Sequence, residues 1–144
     1  MELKVVKLHE DAILPEYQTS GAAGADLHAR LDQPVVLQSL ERQVIPTGLA
    51  MEIPEGYEVQ IRARSSMSIK HGITMVNGIG TIDADYRGEV GILVINLSKE
   101  PFTIEPGMRV AQMVLAKYEV ATMVEVESLG QTERGAGGYG STGH

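Results

Sequence analysis

Tyr57-Glu-Val-Gln-Ile-Arg-Ala63 alternates apolar and polar side chains with a period of two. Successive side chains of a β-strand point to opposite faces of its sheet, so this pattern predicts a strand with one buried face. Before it, Leu49, Met51 and Ile53 alternate in the same way, and Pro54-Glu-Gly56 has the composition of a tight turn. The two segments therefore predict strands joined by that turn.

The β-rich pattern continues towards the C-terminus. Strands are predicted at residues 90–97, 109–116 and 118–126, and the first of these is apolar on both faces, as expected of a strand buried between two layers. Pro and Gly residues separate the segments, and only residues 66–71 favour a short helix. Many short strands between turns predict an all-β fold, a jelly-roll-like barrel or sandwich with at most one short helix.

The composition is that of one acidic domain with an aliphatic core. The chain has 144 residues, a formal net charge of −7 and no cysteine, and its aromatic residues are five Tyr and one Phe. The lack of Cys excludes disulfides and thiolate metal sites. The acidic charge disfavours a nucleic-acid partner, and no apolar stretch reaches the roughly 20 residues that a membrane span needs. We expect a cytoplasmic protein that binds neither nucleic acid nor membranes.

The C-terminal segment differs from the rest of the chain. Residues 130–144 are rich in glycine and hydroxyl side chains and poor in apolar ones. Such a segment buries too little surface to offset its ordering entropy, which predicts a β domain at residues 1–129 followed by a flexible arm. A disordered terminus without function is the plain interpretation. Arg134 and Tyr139, however, are residue types that grasp an anion and stack on a ring.

Two short motifs carry groups that can act on a phosphorylated substrate. Arg64-Ser-Ser-Met67 places a cation and two hydroxyls after the strand that ends at Ala63, which suits a phosphate grip as well as an exposed turn. Asp83 and Asp85 would share one face of a strand, where such a pair can hold a metal, raise one pKa or pair with arginines. A salt-bridged surface feature is the alternative interpretation of the two aspartates.

Five motifs occur in an order that is more specific than any one of them. Along the chain they are Ala23-Gly-Ala-Asp-Leu27, Arg64-Ser-Ser-Met67, Gly80-Thr-Ile-Asp-Ala-Asp-Tyr-Arg-Gly-Glu89, Gly107-Met-Arg-Val-Ala-Gln112 and Arg134-Gly-Ala-Gly-Gly-Tyr-Gly-Ser-Thr-Gly143. Together they resemble the homotrimeric deoxyuridine triphosphatases (dUTPases), over residues 23–143. The departures are small, with Ala63 where the family often has Pro and Tyr139 where Phe is common.

The resemblance implies hydrolysis of dUTP to dUMP and pyrophosphate, which limits uracil in DNA and supplies dUMP for dTMP synthesis. It also implies a Mg²⁺ cofactor and a jelly-roll homotrimer with its active sites at subunit interfaces. Asp83 would be the catalytic residue that orients and deprotonates the water attacking the α-phosphorus. The Mg²⁺ ion would be held mainly by the triphosphate and waters, without a direct protein ligand, and Asp26 would support that network.

The same resemblance implies the substrate-binding residues. The phosphates would be contacted by Arg64, Ser65, Ser66 and Gln112. The uracil edge would be read by a hairpin, through Asn77 and the backbone of Gly80, Thr81 and Ile82. Tyr86 would pack against the deoxyribose and exclude a 2′-hydroxyl.

The C-terminal arm is a lid in this family, and a neighbouring subunit contributes it. Arg134 would clamp the γ-phosphate, and Tyr139 would stack over the uracil. Ser141 and Thr142 would add hydroxyl donors to a glycine-rich backbone that can approach phosphate oxygens closely.

Three other functions share parts of this pattern. A dCTP deaminase has the same fold and a similar phosphate site, but it needs an additional acid/base group, usually Glu, beside the pyrimidine. A catalytically silent nucleotide-binding module would have no use for Asp83. An unspecific β-sandwich binding module leaves the five ordered motifs unexplained. The sequence therefore favours a dUTPase.

Overall fold

The computed structural model describes residues 1–140, in which short strands alternate with turns and one short helix. The strands of this part of the chain are β1 (Lys4–Lys7), β2 (Ala25–His28), β3 (Val35–Leu37), β4 (Arg42–Glu52), β5 (Tyr57–Ala63), β6 (Ile73–Met75), β7 (Gly80–Ile82), β8 (Glu89–Asn96), β9 (Phe102–Ile104) and β10 (Arg109–Lys117). The helix, α1 (Ser65–His71), follows β5 after a single residue.

Two four-stranded sheets make up the body of the fold, with strand orders β1-β4-β8-β6 and β2-β10-β5-β7. β3 and β9 form a separate two-stranded ribbon, and all strand pairs are antiparallel. Within residues 1–140, each strand is followed by one in a different sheet, which is the connectivity of jelly-roll folds rather than of simple meanders. The predicted all-β, jelly-roll-like fold and the short helix are confirmed.

An aliphatic core fills the space between the sheets. In β5, Val59 and Ile61 are buried and Arg62 is exposed, as the alternation predicts. The largest fully buried side chains are Leu27, Leu37, Ile45, Leu49, Ile61, Ile73, Ile92, Ile104, Val59, Val90, Val94 and Val110. Each such side chain contributes about 1.5–3 kcal/mol relative to exposure, so burial of branched aliphatic side chains is a major stabilising contribution to this fold.

Two glycines with left-handed backbone conformations flank the segment formed by β5 and α1. Gly56, with φ 81°, closes the turn before β5, where the Tyr57 N–H donates to the Pro54 carbonyl at 3.1 Å. Gly72, with φ 68°, ends α1, and its N–H donates to the Ser68 carbonyl at 2.9 Å. Both positions are left-handed, so glycine is the residue that fits there without strain.

Strand β8 departs from the expectation that both of its faces are buried. Val90, Ile92 and Val94 are buried, but Leu93 on the other face is 37% exposed. Val44, its register partner on β4, is 59% exposed. The second sheet covers only one face of β8, so the expectation is wrong for the single chain, which keeps an apolar outer face on this sheet.

The strand predicted at residues 118–126 does not form among the residues that the structure describes. β10 ends at Lys117, and Val120, Met123 and Val124 beyond it are 84%, 88% and 71% exposed. A strand needs a partner strand for its backbone N–H and C=O groups. Residues 1–140 pair no strand with this segment, and only the Tyr118 N–H at its start donates to a backbone carbonyl there, that of Gly56 at 3.1 Å. The prediction is therefore wrong within one chain.

Residues 118–140 contain no helix or strand. The boundary at residue 129 between domain and arm therefore stays a prediction. No helix within residues 1–140 is long and apolar enough to cross a membrane.

Candidate active site

The C-terminal end of β5 lies beside a buried carboxylate held by two arginines. Asp26 on β2 is 7% exposed. Its Oδ1 forms an ion pair with the Arg64 Nε at 3.0 Å, and its Oδ2 accepts a hydrogen bond from the Arg109 Nη1 at 3.1 Å. Burying a carboxylate is costly unless it is paired in this way. We call Asp26, Arg64, Arg109 and Gln112 the arginine cluster.

Gln112 completes the arginine cluster. It lies opposite Asp26 in the register of β2 and β10, and its Nε2 donates to the Ala63 carbonyl at 2.9 Å. The structure thus brings together three residues that the sequence placed at the phosphates or in the metal network, Asp26, Arg64 and Gln112. Ser65 and Ser66 follow at the start of α1.

Sequence reasoning missed Arg109. The residue lies in the fourth motif, but a single Arg at the start of a strand gives no sign of its partner, which is 83 residues away. The register of β10 with β2 reveals the contact. His28, opposite Arg109 in that register, has its pKa lowered by burial and by the two neighbouring guanidinium groups, with Asp26 opposing them. The positive charge of this region therefore comes from the arginines.

A second set of predicted residues surrounds a cavity of about 220 Å³, which we call the Asn77 cavity. Its lining residues are Ile61, Met75, Asn77, Gly80, Thr81, Ile82, Gly91 and Leu93. Gly80 is needed where β7 approaches β5, because a Cβ there would lie 3.1 Å from the Ile61 Cβ and 3.5 Å from the Asn77 Nδ2. The cavity therefore brings together the four residues expected to read the base.

The segment that carries Asn77 is not a hairpin within one sheet. β6 pairs with β8 in the first sheet, and β7 pairs with β5 in the second. A turn joins them, with the Gly78 N–H donating to the Met75 carbonyl at 3.1 Å. The expected hairpin is therefore corrected to a crossing between the two sheets.

Asp83 lies just beyond β7, in a broad groove of about 740 Å³ that we call the Asp83 groove. Its lining residues are Ile53, Glu55, Glu58, Thr81, Asp83, Ala84, Asp85, Arg87 and Tyr118. Asp83 and Asp85 occupy a turn, closed by the Tyr86 N–H donating to the Asp83 carbonyl at 3.1 Å, rather than one face of a strand. Thr81 lines both the groove and the Asn77 cavity, so the two adjoin.

The register of β5 separates Asp83 from the arginine cluster. Ile82 lies opposite Val59, so Asp83 is level with Glu58, whereas Arg64 directly follows the last residue of β5. Six residues of strand correspond to about 20 Å at 3.3 Å per residue. One chain therefore does not bring Asp83 and Arg64 to the same triphosphate.

Among the described residues of the arm, Arg134 and Tyr139 are the two with predicted roles, and neither lines the Asn77 cavity or the Asp83 groove. The Arg134 Nε donates to the Gly137 carbonyl at 2.8 Å, and the Gly137 N–H donates to the Arg134 carbonyl at 3.1 Å. Tyr139 is fully exposed, with φ 49°. Ser141 and Thr142 lie outside the residues that the structure describes.

Residues 1–140 contain no group of three or more His, Asp or Glu side chains arranged to hold a metal ion. Mg²⁺ commonly keeps several waters and binds through one or two carboxylates plus substrate phosphates. Asp26 is a buried carboxylate beside Arg64 and Gln112, two residues predicted to contact the phosphates, and is therefore placed to support an ion carried by the triphosphate.

Comparison with known proteins supports the same assignment. The dUTPase family model matches residues 10–143. A deoxyuridine 5′-triphosphate nucleotidohydrolase of Treponema denticola is 55% identical over 137 residues, 95% of this chain and 95% of that protein. The protein of the same name from Finegoldia magna is 51% identical over 144 residues, which is all of both chains.

Solved structures share the fold over almost the whole chain. The Staphylococcus bacteriophage 80alpha dUTPase with dUPNHPP has a TM-score of 0.89 at 31% identity, over 99% of each chain. A mutant dUTPase of phage phi11 of S. aureus, described as revealing the coordination of a structural Mg(II) ion, has a TM-score of 0.82 at 28% identity, over 91% of this chain and 100% of that chain. With whole-length relatives, a matching fold and five motifs in order, the chain belongs to the dUTPase family.

Proposed function

We propose that this chain hydrolyses dUTP to dUMP and pyrophosphate, with Asp83 activating the water that attacks the α-phosphorus. The reaction is that of the family. The roles rest on the junction at Thr81, where the Asn77 cavity meets the Asp83 groove. A nucleotide whose base enters the cavity would have its sugar and α-phosphate at the mouth, beside Asp83.

Base selection would come from Asn77 and the β7 backbone. Uracil presents an N3–H donor beside its C4 carbonyl acceptor, whereas cytosine presents an acceptor and an amino group there. The Asn77 carboxamide offers both a donor and acceptors, and the backbone of Gly80 adds groups with fixed positions. Buried polar groups left unpaired by the wrong base would disfavour cytosine.

Asp83 suits the role of general base through its position. Its side chain is exposed at the groove, so a water can lie within hydrogen-bond distance of the carboxylate. Arg64, Ser65, Ser66 and Gln112 would bind the phosphates, and pyrophosphate would leave with the charge that develops on its bridging oxygen. The proton of the attacking water would pass to Asp83.

A Mg²⁺ ion bound to the triphosphate would neutralise charge on its oxygens. Asp26 would contact the waters of such an ion rather than the ion itself, because each of its carboxylate oxygens is already paired with a guanidinium group. The positive charge of the ion would matter most at the Asp83 groove, because Glu55, Glu58 and Asp85 in its lining would repel a triphosphate.

The complete site would combine two copies of the chain. About 20 Å of strand separates Asp83 from Arg64, so the arginine cluster of one copy would meet the Asp83 groove of another. The exposed apolar residues Val44 and Leu93, and the exposed apolar side chains of residues 120–126, supply surface that an assembly would bury. We propose the homotrimer of the family as that assembly.

The arm at residues 130–144 would complete the site as a lid from a neighbouring copy. Arg134 would bind the γ-phosphate, and the exposed ring of Tyr139 would stack on the uracil. The contacts of Arg134 within the chain are with its own turn, so closing the lid would break no contact with the β domain. The glycines on either side of Tyr139 would allow the backbone to follow the phosphates.

One assay tests the reaction itself. Incubating the protein with Mg²⁺ and each deoxynucleoside triphosphate should release pyrophosphate from dUTP, with far less from dCTP or dTTP. Ammonia released from dCTP would identify a deaminase instead, and tight dUTP binding without any product would identify a silent binding module.

Mixing inactive variants tests the shared site. Asp83→Asn and Arg64→Gln should each be inactive. When the two variants are co-expressed in equal amounts, about one quarter of the sites should be active. Such a site takes its intact Asp83 from an Arg64→Gln copy and its intact Arg64 from an Asp83→Asn copy, and each choice has a chance of about one half. The measurement is pyrophosphate release by the co-purified assembly. Asp83→Asn mixed with Asn77→Ala is the control. One copy of the chain would supply both Asn77 and Asp83 to a given site, so this mixture should not recover activity. No recovery with Arg64→Gln would contradict a site shared between copies.

A further inference from the structure

Tyr86 is the residue proposed to face the deoxyribose, and its ring is held against its own turn. The Tyr86 hydroxyl donates to the Glu89 carbonyl at 2.9 Å, so the ring folds back over Gly88. The residue is nevertheless 44% exposed. The ring is therefore anchored through its hydroxyl and still partly accessible to a ligand.

Gly88 is where this arrangement depends on the absence of a side chain. A Cβ at Gly88 would lie 2.6 Å from the Tyr86 Cζ and 3.0 Å from its Cε2, and closer still to the hydroxyl oxygen. Contacts this short do not occur between real Cβ atoms and ring carbons. Gly88 does not have a left-handed φ, so its φ does not exclude an alanine, and the three atoms nearest to an added Cβ all belong to the Tyr86 side chain.

The surrounding turn does not yield easily. The Glu89 carboxylate accepts from the Gly48 N–H at 2.7 Å, which ties the hydroxyl's acceptor to strand β4. The Arg87 Nη1 donates to the Ala84 carbonyl at 2.6 Å and to the Tyr86 carbonyl at 3.1 Å. With the backbone held at both ends, a methyl group at Gly88 has to be accommodated by rotating the Tyr86 ring.

We propose that Gly88 is a positioning residue that sets sugar specificity, by letting the Tyr86 ring lie flat enough on its turn to touch a deoxyribose and leave no room for a 2′-hydroxyl. This inference rests on the proposed function. A ring pushed away from the sugar admits a ribonucleotide. A ring pushed towards the sugar obstructs dUTP, whereas UTP, already excluded, has less to lose. Both displacements lower the ratio of kcat/KM for dUTP to that for UTP.

The test is Gly88→Ala, assayed with dUTP and UTP. The ratio of kcat/KM for dUTP to that for UTP should fall by about tenfold or more. A side chain forced out of its preferred rotamer costs roughly the free energy that corresponds to a tenfold change. Gly21→Ala is the control, because a Cβ at Gly21 has nothing within 4 Å. A purely structural role of Gly88 would lower the melting temperature and both activities together, without changing the ratio.

A double-mutant cycle removes the remaining ambiguity. In a Tyr86→Ala background the ring is gone, so adding Gly88→Ala should not change the ratio further. If Gly88→Ala alone does not fold, folding of the double variant would support the clash, and failure of both would overturn it. An unchanged ratio in Gly88→Ala, or an equal drop with and without the ring, would also overturn the proposal. If the wild-type protein does not hydrolyse dUTP, the proposed function itself is refuted.

Discussion

Asp83→Asn is expected to lower kcat for dUTP by about 10²–10⁴-fold, the usual contribution of a positioned general base. The amide keeps the size of the carboxylate but cannot take a proton from the attacking water. Binding of the substrate analogue dUPNHPP should be retained, since the base, sugar and phosphate contacts lie elsewhere. Pyrophosphate release measures the first effect, and calorimetric titration with the analogue measures the second.

Asp85→Asn is the matched control for that variant. Asp85 lines the same groove two residues away, in the same turn, and its substitution removes the same formal charge. We expect only a small change in kcat, because an exposed charge that does not contact the attacking water acts weakly through solvent. Equal losses in the two variants would assign the effect to groove charge. Loss of analogue binding in Asp83→Asn would make Asp83 structural.

Ending the chain at Glu133 is expected to lower kcat/KM for dUTP by about 10²–10³-fold, comparable to removing a preorganised charge-stabilising group. The truncation removes the Arg134 guanidinium from the γ-phosphate and the Tyr139 ring from the base. It also leaves the site open to water. The melting temperature should not change, because the side-chain contacts of Arg134 are confined to the arm. Steady-state kinetics and thermal unfolding measure the two effects.

Tyr139→Phe separates the ring from the rest of the arm. It keeps a stacking surface and removes only a hydroxyl, so it should retain nearly full activity, whereas Tyr139→Ala should lose part of what the truncation loses. Full activity of the truncated chain would contradict the role of the arm as a lid, and with it the domain boundary proposed at residue 129.

Local patterns in the sequence were enough for several elements. The alternation at residues 57–63 predicted β5 with Val59 and Ile61 inward, and Gly72 ends α1 one residue after the short helix favoured at residues 66–71. These predictions succeed because a strand's two-residue period and a helix cap depend on the backbone geometry of a few neighbouring residues.

The same patterns failed where burial depends on distant chain. Residues 118–126 have the apolar content of a strand, but the described residues offer them no partner strand. Leu93 has the apolar character of a buried residue, but the second sheet covers only the opposite face of β8. Periodicity reports what a side chain would prefer to contact, and it does not report whether the same molecule supplies the contact.

The sequence by itself determined the family, through five ordered motifs, and the residue types available for the chemistry. Only the tertiary structure decided that Asp26 has a second partner in Arg109, that Gly88 lies under the Tyr86 ring, and that strand β5 holds Asp83 and Arg64 about 20 Å apart. Such distances follow from the register between strands far apart in sequence. That register is set by packing the whole core, because a shift of one residue would turn every buried side chain outward.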